Sequence, residues 1–362
     1  MSERPATARL RALGQSLWLD NITRALLDDG TLQRYIDQWS VTGLTSNPTI
    51  FDQALKGSAD YDAEIRERLR QGQSGEALFF ELALVDLTRA ADLFAPVHRR
   101  TRGVDGWVSL EVSPLLAYDA RSTLAAAREL HARAARPNLF IKIPGTAEGL
   151  PAIEDATFAG VPVNVTLLFS TAHYLAAAEA WLRGIERRLD AGLAPDVASV
   201  ASLFISRWDV AVAGKVPDAL EMKLGIAIGL QAYRAYGEFL ASPRVRRVMN
   251  EGATPQRLLM ASTGTKNPQA PDTLYVEALA APFTVNTLPE GTLKAFADHG
   301  RADAPAPADG GDCEAVLAGV RAAGVDLDAL AARLQSDGAA AFVKSWHDLL
   351  ARIASKSAAL SG

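Results

Sequence analysis

The feature that most constrains this chain is an alternation. Eight short apolar runs, at positions 17–22, 41–48, 106–114, 138–145, 162–169, 199–207, 257–263 and 283–289, are separated by longer amphipathic stretches. Each run is about the length of a buried strand. The stretches between them read as helices. Positions 28–39 put Leu32, Tyr35, Ile36 and Trp39 on one face, and 75–97 carry Leu78, Phe79, Leu82, Val85 and Leu93. Segments 121–134 and 171–191 are rich in Ala, Leu, Glu and Arg, which favour helix; segments 217–240 and 272–280 follow. Strands alternating with helices build a parallel sheet, and eight such units fit a closed (β/α)8 TIM barrel better than an open sheet. No G-x-G-x-x-G follows a strand, which speaks against a dinucleotide fold.

The length of 362 residues suggests two domains by simple division, yet a barrel of about 250 residues with additions accounts for it as one domain, 1–362. The additions are a short helix near 7–14, the interval 51–105 and everything after 298. Segment 300–312, rich in Ala, Pro, Asp and Gly, reads as an exposed connection. Helices are expected at 312–324, 327–336 and 339–360, so that 313–362 forms a helical tail packed on the barrel. The last helix carries Phe342, Trp346, Leu349, Leu350 and Ile353 as an apolar stripe. Packing on the barrel explains the stripe; contact with a second copy, as in a homodimer, is the alternative.

Composition narrows the function. The chain is 49% hydrophobic and 22% charged, which suits a globular fold. Its single cysteine, Cys313, excludes an intrachain disulfide and points to a reducing compartment, with the cytoplasm as the expected location. No run is long enough for a transmembrane helix, and no secretory signal is read at the N-terminus. The net charge of −5 offers no general attraction to nucleic acid or to acidic membranes. His98, His131, His173, His299 and His347 form no i, i+4 metal pair and are read as surface or packing residues.

Chemistry enters through the strand faces. Alternate residues of a strand point to opposite sides. Val108, Leu110 and Val112 share one face, against Trp107, Ser109 and Glu111; Ile141 and Ile143 oppose Phe140 and Lys142. Val163 and Val165 oppose Asn164 and Thr166; Leu203 opposes Ser202 and Phe204. Asp20 lies on the Trp18 face, and Gly43, Thr45 and Asn47 form a similar set. Strand after strand thus has an aliphatic face and a face with polar residues near its end. In a barrel the second face lines the interior, and active sites sit at its C-terminal end. A lysine among Phe140, Ile141 and Ile143 suits a Schiff base, since desolvation frees the amine to attack a carbonyl. Glu111 and Asp20 are carboxylates for proton transfer. The alternative is a structural salt bridge, Lys142–Glu111 or Lys142–Asp20. For Asp20 and Thr166 taken singly, helix capping is equally open.

The segments Leu19-Asp20-Asn21-Ile22, Gly43-Leu44-Thr45-Ser46-Asn47-Pro48-Thr49, Ile141-Lys142-Ile143-Pro144-Gly145-Thr146 and Asn164-Val165-Thr166-Leu167-Leu168-Phe169-Ser170 together resemble the transaldolase family, over about 18–289. The resemblance implies a Schiff-base barrel that moves a dihydroxyacetone unit between sugar phosphates in the pentose phosphate pathway. The donor would be sedoheptulose 7-phosphate or fructose 6-phosphate; the acceptor would be glyceraldehyde 3-phosphate or erythrose 4-phosphate. It implies no metal and no organic cofactor. Lys142 falls on the Schiff-base lysine, Glu111 on the carboxylate that exchanges protons through a water held with Thr166, and Asp20 on the acid/base at the C4 hydroxyl. Asn47, Asn164 and Ser202 fall on groups that hold the dihydroxyacetone unit. Arg207, five residues past that serine, and Lys266, in the loop after the seventh run, take the phosphate. Fructose-6-phosphate aldolase, the nearest relative, carries Gln for Glu111 and Tyr for Phe204, so both positions sit on the transferase side. The alternatives are a plain class I aldolase and an inert sugar-phosphate-binding barrel.

Overall fold

The computed structural model describes residues 5–361. Eight strands form a closed barrel: β1 (Ser16–Asp20), β2 (Val41–Thr45), β3 (Trp107–Glu111), β4 (Leu139–Pro144), β5 (Val163–Leu168), β6 (Ser199–Phe204), β7 (Arg257–Ala261) and β8 (Val285–Leu288). Every neighbouring pair is parallel, and β8 pairs with β1 to close the ring. The expected (β/α)8 barrel is borne out. The outward strand faces are largely aliphatic and buried, as at Val108, Leu110, Ile141 and Val163.

The barrel interior changes character along its axis. At the N-terminal end Asp105 accepts hydrogen bonds from Ser16 Oγ and Trp18 Nε1, and Arg257 donates to Ser16 Oγ. Aromatic rings fill the next layer: Trp107 stacks on Phe140 at 4.1 Å and Trp18 lies 6.2 Å from Phe140. Gly43 is needed here, because a Cβ would come within 2.6 Å of the Trp18 ring. This plug seals one end, so the polar side chains gather at the other.

The helices depart from expectation in two places. The helix expected at 28–39 begins only at Thr31 and runs to Trp39; a separate short helix, Arg24–Asp28, precedes it across Gly30, which is left-handed at φ 73°. The tail is one continuous helix, Leu327–Leu360, rather than two pieces. Gly338 does not break it. Instead a Cβ at Gly338 would lie 3.0 Å from Leu167 Cδ2, so the glycine permits close approach to the end of β5. The apolar stripe faces the protein: Phe342, Trp346, Leu349 and Ile353 are buried, and Trp346 packs edge-on against Phe79 at 5.0 Å. Packing is therefore what the stripe does. Arg352 and Lys356 anchor the same helix to Asp52 and Asp62. Residues 301–312 form no helix or strand and are mostly exposed, with Ala302 and Gly310 buried. No helix among the described residues is long and apolar enough to cross a membrane.

Candidate active site

Strand register brings the predicted residues together. Paired residues in a parallel sheet point the same way, and Glu111 is opposite Lys142, which is opposite Asn164; Asp20 is opposite Thr45. All six strands that supply predicted side chains end at one mouth. There they enclose a cavity of about 240 Å³. Asp20, Asn47, Lys142, Thr166, Ser202, Phe204, Arg207 and Lys266 line it. Glu111 and Asn164 lie just outside this lining, and each is bonded to one of its members.

At the base, Lys142 Nζ donates to Glu111 Oε2 at 3.1 Å and to the Ser46 carbonyl at 3.0 Å. Both side chains are buried. The Lys142–Glu111 ion pair foreseen as the structural alternative is thus formed, but it sits at the base of a polar cavity. Burial pushes the Glu111 carboxyl up from its ordinary value against the pull of the Lys142 charge, and Asp20 pushes it further. The second oxygen, Glu111 Oε1, and Thr166 Oγ1 are buried with no hydrogen-bond partner among the described residues.

Asp20 pairs with a different group. Thr45 Oγ1 donates to Asp20 Oδ1 at 2.7 Å and shares a further hydrogen bond of 2.7 Å with Thr287 Oγ1. Burial raises the Asp20 carboxyl, opposed by the charges of Lys142 and Lys266 and by the Thr45 hydroxyl. Neither Asp20 nor Thr166 caps a helix: Thr23 and Ser170 cap the helices that follow them. Asn47 does cap one, its side-chain oxygen accepting from Ile50 N at 3.1 Å. Its side-chain NH2 is then the group it offers to the cavity. Asn164 bridges Ser109 Oγ (3.1 Å) and Ser202 Oγ (2.7 Å).

At the rim stand two cations. Arg207 lies 5.8 Å over the Phe204 ring, and burial lowers its guanidinium, an effect Asp337 opposes. Among the described residues neither Arg207 nor Lys266 forms an ion pair, whereas Arg24, Arg187 and Arg244 each bind two carboxylates. Arg207 is half-buried and Lys266 is exposed. A half-buried guanidinium with no ion pair of its own favours an anionic ligand, and the exposed Lys266 adds positive charge at the same rim.

The family model for transaldolase/fructose-6-phosphate aldolase matches residues 17–353. The chain belongs to that family. A transaldolase of Neisseria gonorrhoeae is 44% identical over 343 residues, covering 94% of this chain and 97% of that one. A transaldolase of Thermobifida fusca is 44% identical over 360 residues, covering 97% and 98%. One of Arthrobacter is 42% identical over 353 residues, covering 95% of each. The resemblance read from the four motifs is borne out, and with it a transaldolase enzyme on a TIM barrel.

Within this family site the sequence reading missed several lining residues: Thr45, Thr49, Ile50, Ser262, Thr287 and Phe342. Alternation already puts Thr45 on the inner face with Gly43 and Asn47, but assigns it no role. Phe342 had no such signal. It comes from the terminal helix, its ring centroid 6.0 Å from Lys142 Nζ.

Proposed function

We propose that this enzyme transfers a dihydroxyacetone unit from sedoheptulose 7-phosphate or fructose 6-phosphate to glyceraldehyde 3-phosphate or erythrose 4-phosphate, with Lys142 as nucleophile. The observation that carries the reading is a buried lysine–carboxylate pair at the base of a cavity whose rim holds two cations, Arg207 and Lys266, that form no ion pair among the described residues. Glu111 is within hydrogen-bond reach to take the proton that must leave the Lys142 ammonium. The freed amine attacks the ketose carbonyl, water departs, and a protonated imine forms. Glu111 Oε1 and Thr166 Oγ1, both without a partner among the described residues, are suited to hold the water that relays these protons.

Asp20 then removes the proton from the C4 hydroxyl. The C3–C4 bond breaks, its electrons flow into the imine to give an enamine, and the aldose leaves. The enamine carbon attacks the acceptor aldehyde, and Asp20 returns its proton to the new hydroxyl. Hydrolysis of the imine releases the product ketose. Thr45, bonded to the Asp20 carboxylate, orients it. Asn47, Asn164 and Ser202 hold the hydroxyls of the dihydroxyacetone unit, and Arg207 and Lys266 take the phosphate as fork and point charge. Phe204 and Phe342 present apolar rings to the cavity, so the enamine meets little water while it awaits an acceptor. The setting is the cytoplasm, a reading supported by the unpaired, buried Cys313. The chain acts as one domain, because its tail supplies a wall of the site.

The assay is cleavage of fructose 6-phosphate with and without erythrose 4-phosphate. Turnover that requires the acceptor supports a transferase. Comparable turnover without it supports a plain aldolase.

A further inference from the structure

The terminal helix reaches the site at more than Phe342. Gln335 Nε2, half-buried, donates to two backbone carbonyls at once: Gly145 at 3.1 Å and Leu167 at 2.9 Å. Gly145 directly follows β4, the strand of Lys142. Leu167 directly follows Thr166. Leu167 has φ 62°, a left-handed conformation that is strained for a γ-branched residue. At the same place the pairing of β5 with β6 shifts register, between Val165 and Leu168. Such a kink re-aims the side chains beside it, and the neighbour is Thr166, whose hydroxyl is buried at the cavity with no hydrogen-bond partner among the described residues. The same helix holds the Leu167 side chain through the close approach at Gly338. Gly145 N also donates to Thr166 O at 2.7 Å, so Gln335 braces both sides of one small hydrogen-bonded unit.

We infer that Gln335 is a positioning residue: its two hydrogen bonds hold the Leu167 kink and the end of β4, and so set Thr166 against Lys142 and Glu111. It touches neither substrate nor the reacting atoms. The inference rests on the Schiff-base reading of the site. Gln335 bonds to the two carbonyls and not to Arg207 or Lys266, so its loss acts on the chemical steps and leaves phosphate recognition intact.

The test replaces Gln335 with residues of similar size that cannot bridge the two carbonyls. Gln335→Met keeps volume and helix propensity but has no donor. Gln335→Glu keeps shape and, when ionised, presents an acceptor to two acceptors. Arg352→Ala, which cuts the Asp52 anchor of the same helix away from the cavity, is the control for loosening the helix. For both Gln335 variants, kcat is expected to fall about tenfold to a hundredfold, the range for displacing a catalytic group by a fraction of an ångström to one ångström. KM for fructose 6-phosphate should stay within about twofold. Arg352→Ala should lower Tm comparably and keep kcat. Wild-type kcat in both Gln335 variants, or an equal loss in Arg352→Ala, overturns the inference. Borohydride trapping of the wild-type enzyme separately tests the Schiff-base reading, so failure of one is told apart from failure of the other.

Discussion

Glu111→Gln isolates the proton chemistry from everything else the site does. In the structure Glu111 Oε2 is 3.1 Å from Lys142 Nζ, and both groups are buried. At an effective dielectric of ~20, unit charges at that separation attract by about 5 kcal/mol before desolvation. Burial offsets much of this, as the upward push on the Glu111 carboxyl shows. A glutamine oxygen can still accept from Nζ, so the substitution trades a charged hydrogen bond for a neutral one while relieving the burial of a carboxyl whose pKa is raised in the fold. The two effects oppose, and the net change in stability is within roughly 2 kcal/mol. In a chain of this size that shifts Tm by only a few degrees. The kinetic cost is larger. A glutamine can neither take the proton from Lys142 nor return it to the departing hydroxyl, and general acid–base catalysis contributes about 10²–10⁴-fold, or roughly 3–5 kcal/mol of barrier. Binding through Arg207 and Lys266 is untouched. A single turnover with fructose 6-phosphate, quenched into borohydride at timed intervals, measures imine formation, and calorimetry measures binding. The rate should drop at least about a hundredfold with Kd nearly unchanged. An unchanged rate, or a Kd that weakens in step with the rate, refutes Glu111 as the proton carrier.

Two further outcomes follow from the same geometry. Asp20 has a raised carboxyl pKa in the fold, so its charged form opposes folding once the pH exceeds that raised value. The penalty vanishes below the ordinary value of 3.8. Asp20→Asn should therefore abolish C–C cleavage yet raise Tm at pH 8, by the equivalent of about 0.5–2 kcal/mol, with no gain at pH 3.5; thermal melts at both pH values check the sign. Removing Arg207 or Lys266 by alanine should raise KM for fructose 6-phosphate about tenfold to a hundredfold each, the worth of a charge-assisted contact. Unphosphorylated dihydroxyacetone should form its imine at the wild-type rate, and Arg207→Lys should recover only part of the loss. Steady-state kinetics on both substrates measure the difference.

Much of this site was legible in the sequence because a barrel strand has a period of two. Alternation alone put Glu111, Lys142, Asn164, Thr166 and Ser202 on the inner face, and parallel register then made neighbours of Glu111, Lys142 and Asn164. What alternation does not carry is contact from outside the ring. The stripe from Phe342 to Ile353 announced a packed helix, but a helix's own periodicity does not say what it covers. Phe342 and Gln335 reach the cavity and its strands from nearly two hundred residues beyond Lys142 in the chain. The break expected between 327–336 and 339–360 falls at Gly338, for a related reason. Glycine in a helical stretch reads as a break, while here it serves the contact with Leu167. Asn47 shows the opposite case, since its cap of the next helix and its place in the cavity are both visible in one residue.

The central claim is that Lys142 forms the covalent intermediate. Incubation with fructose 6-phosphate, reduction by borohydride and peptide mass mapping test it directly. The expected result is loss of activity with a reduced three-carbon adduct on the peptide containing Lys142 and on no other lysine. An adduct on a different lysine, or no adduct with activity intact, contradicts it.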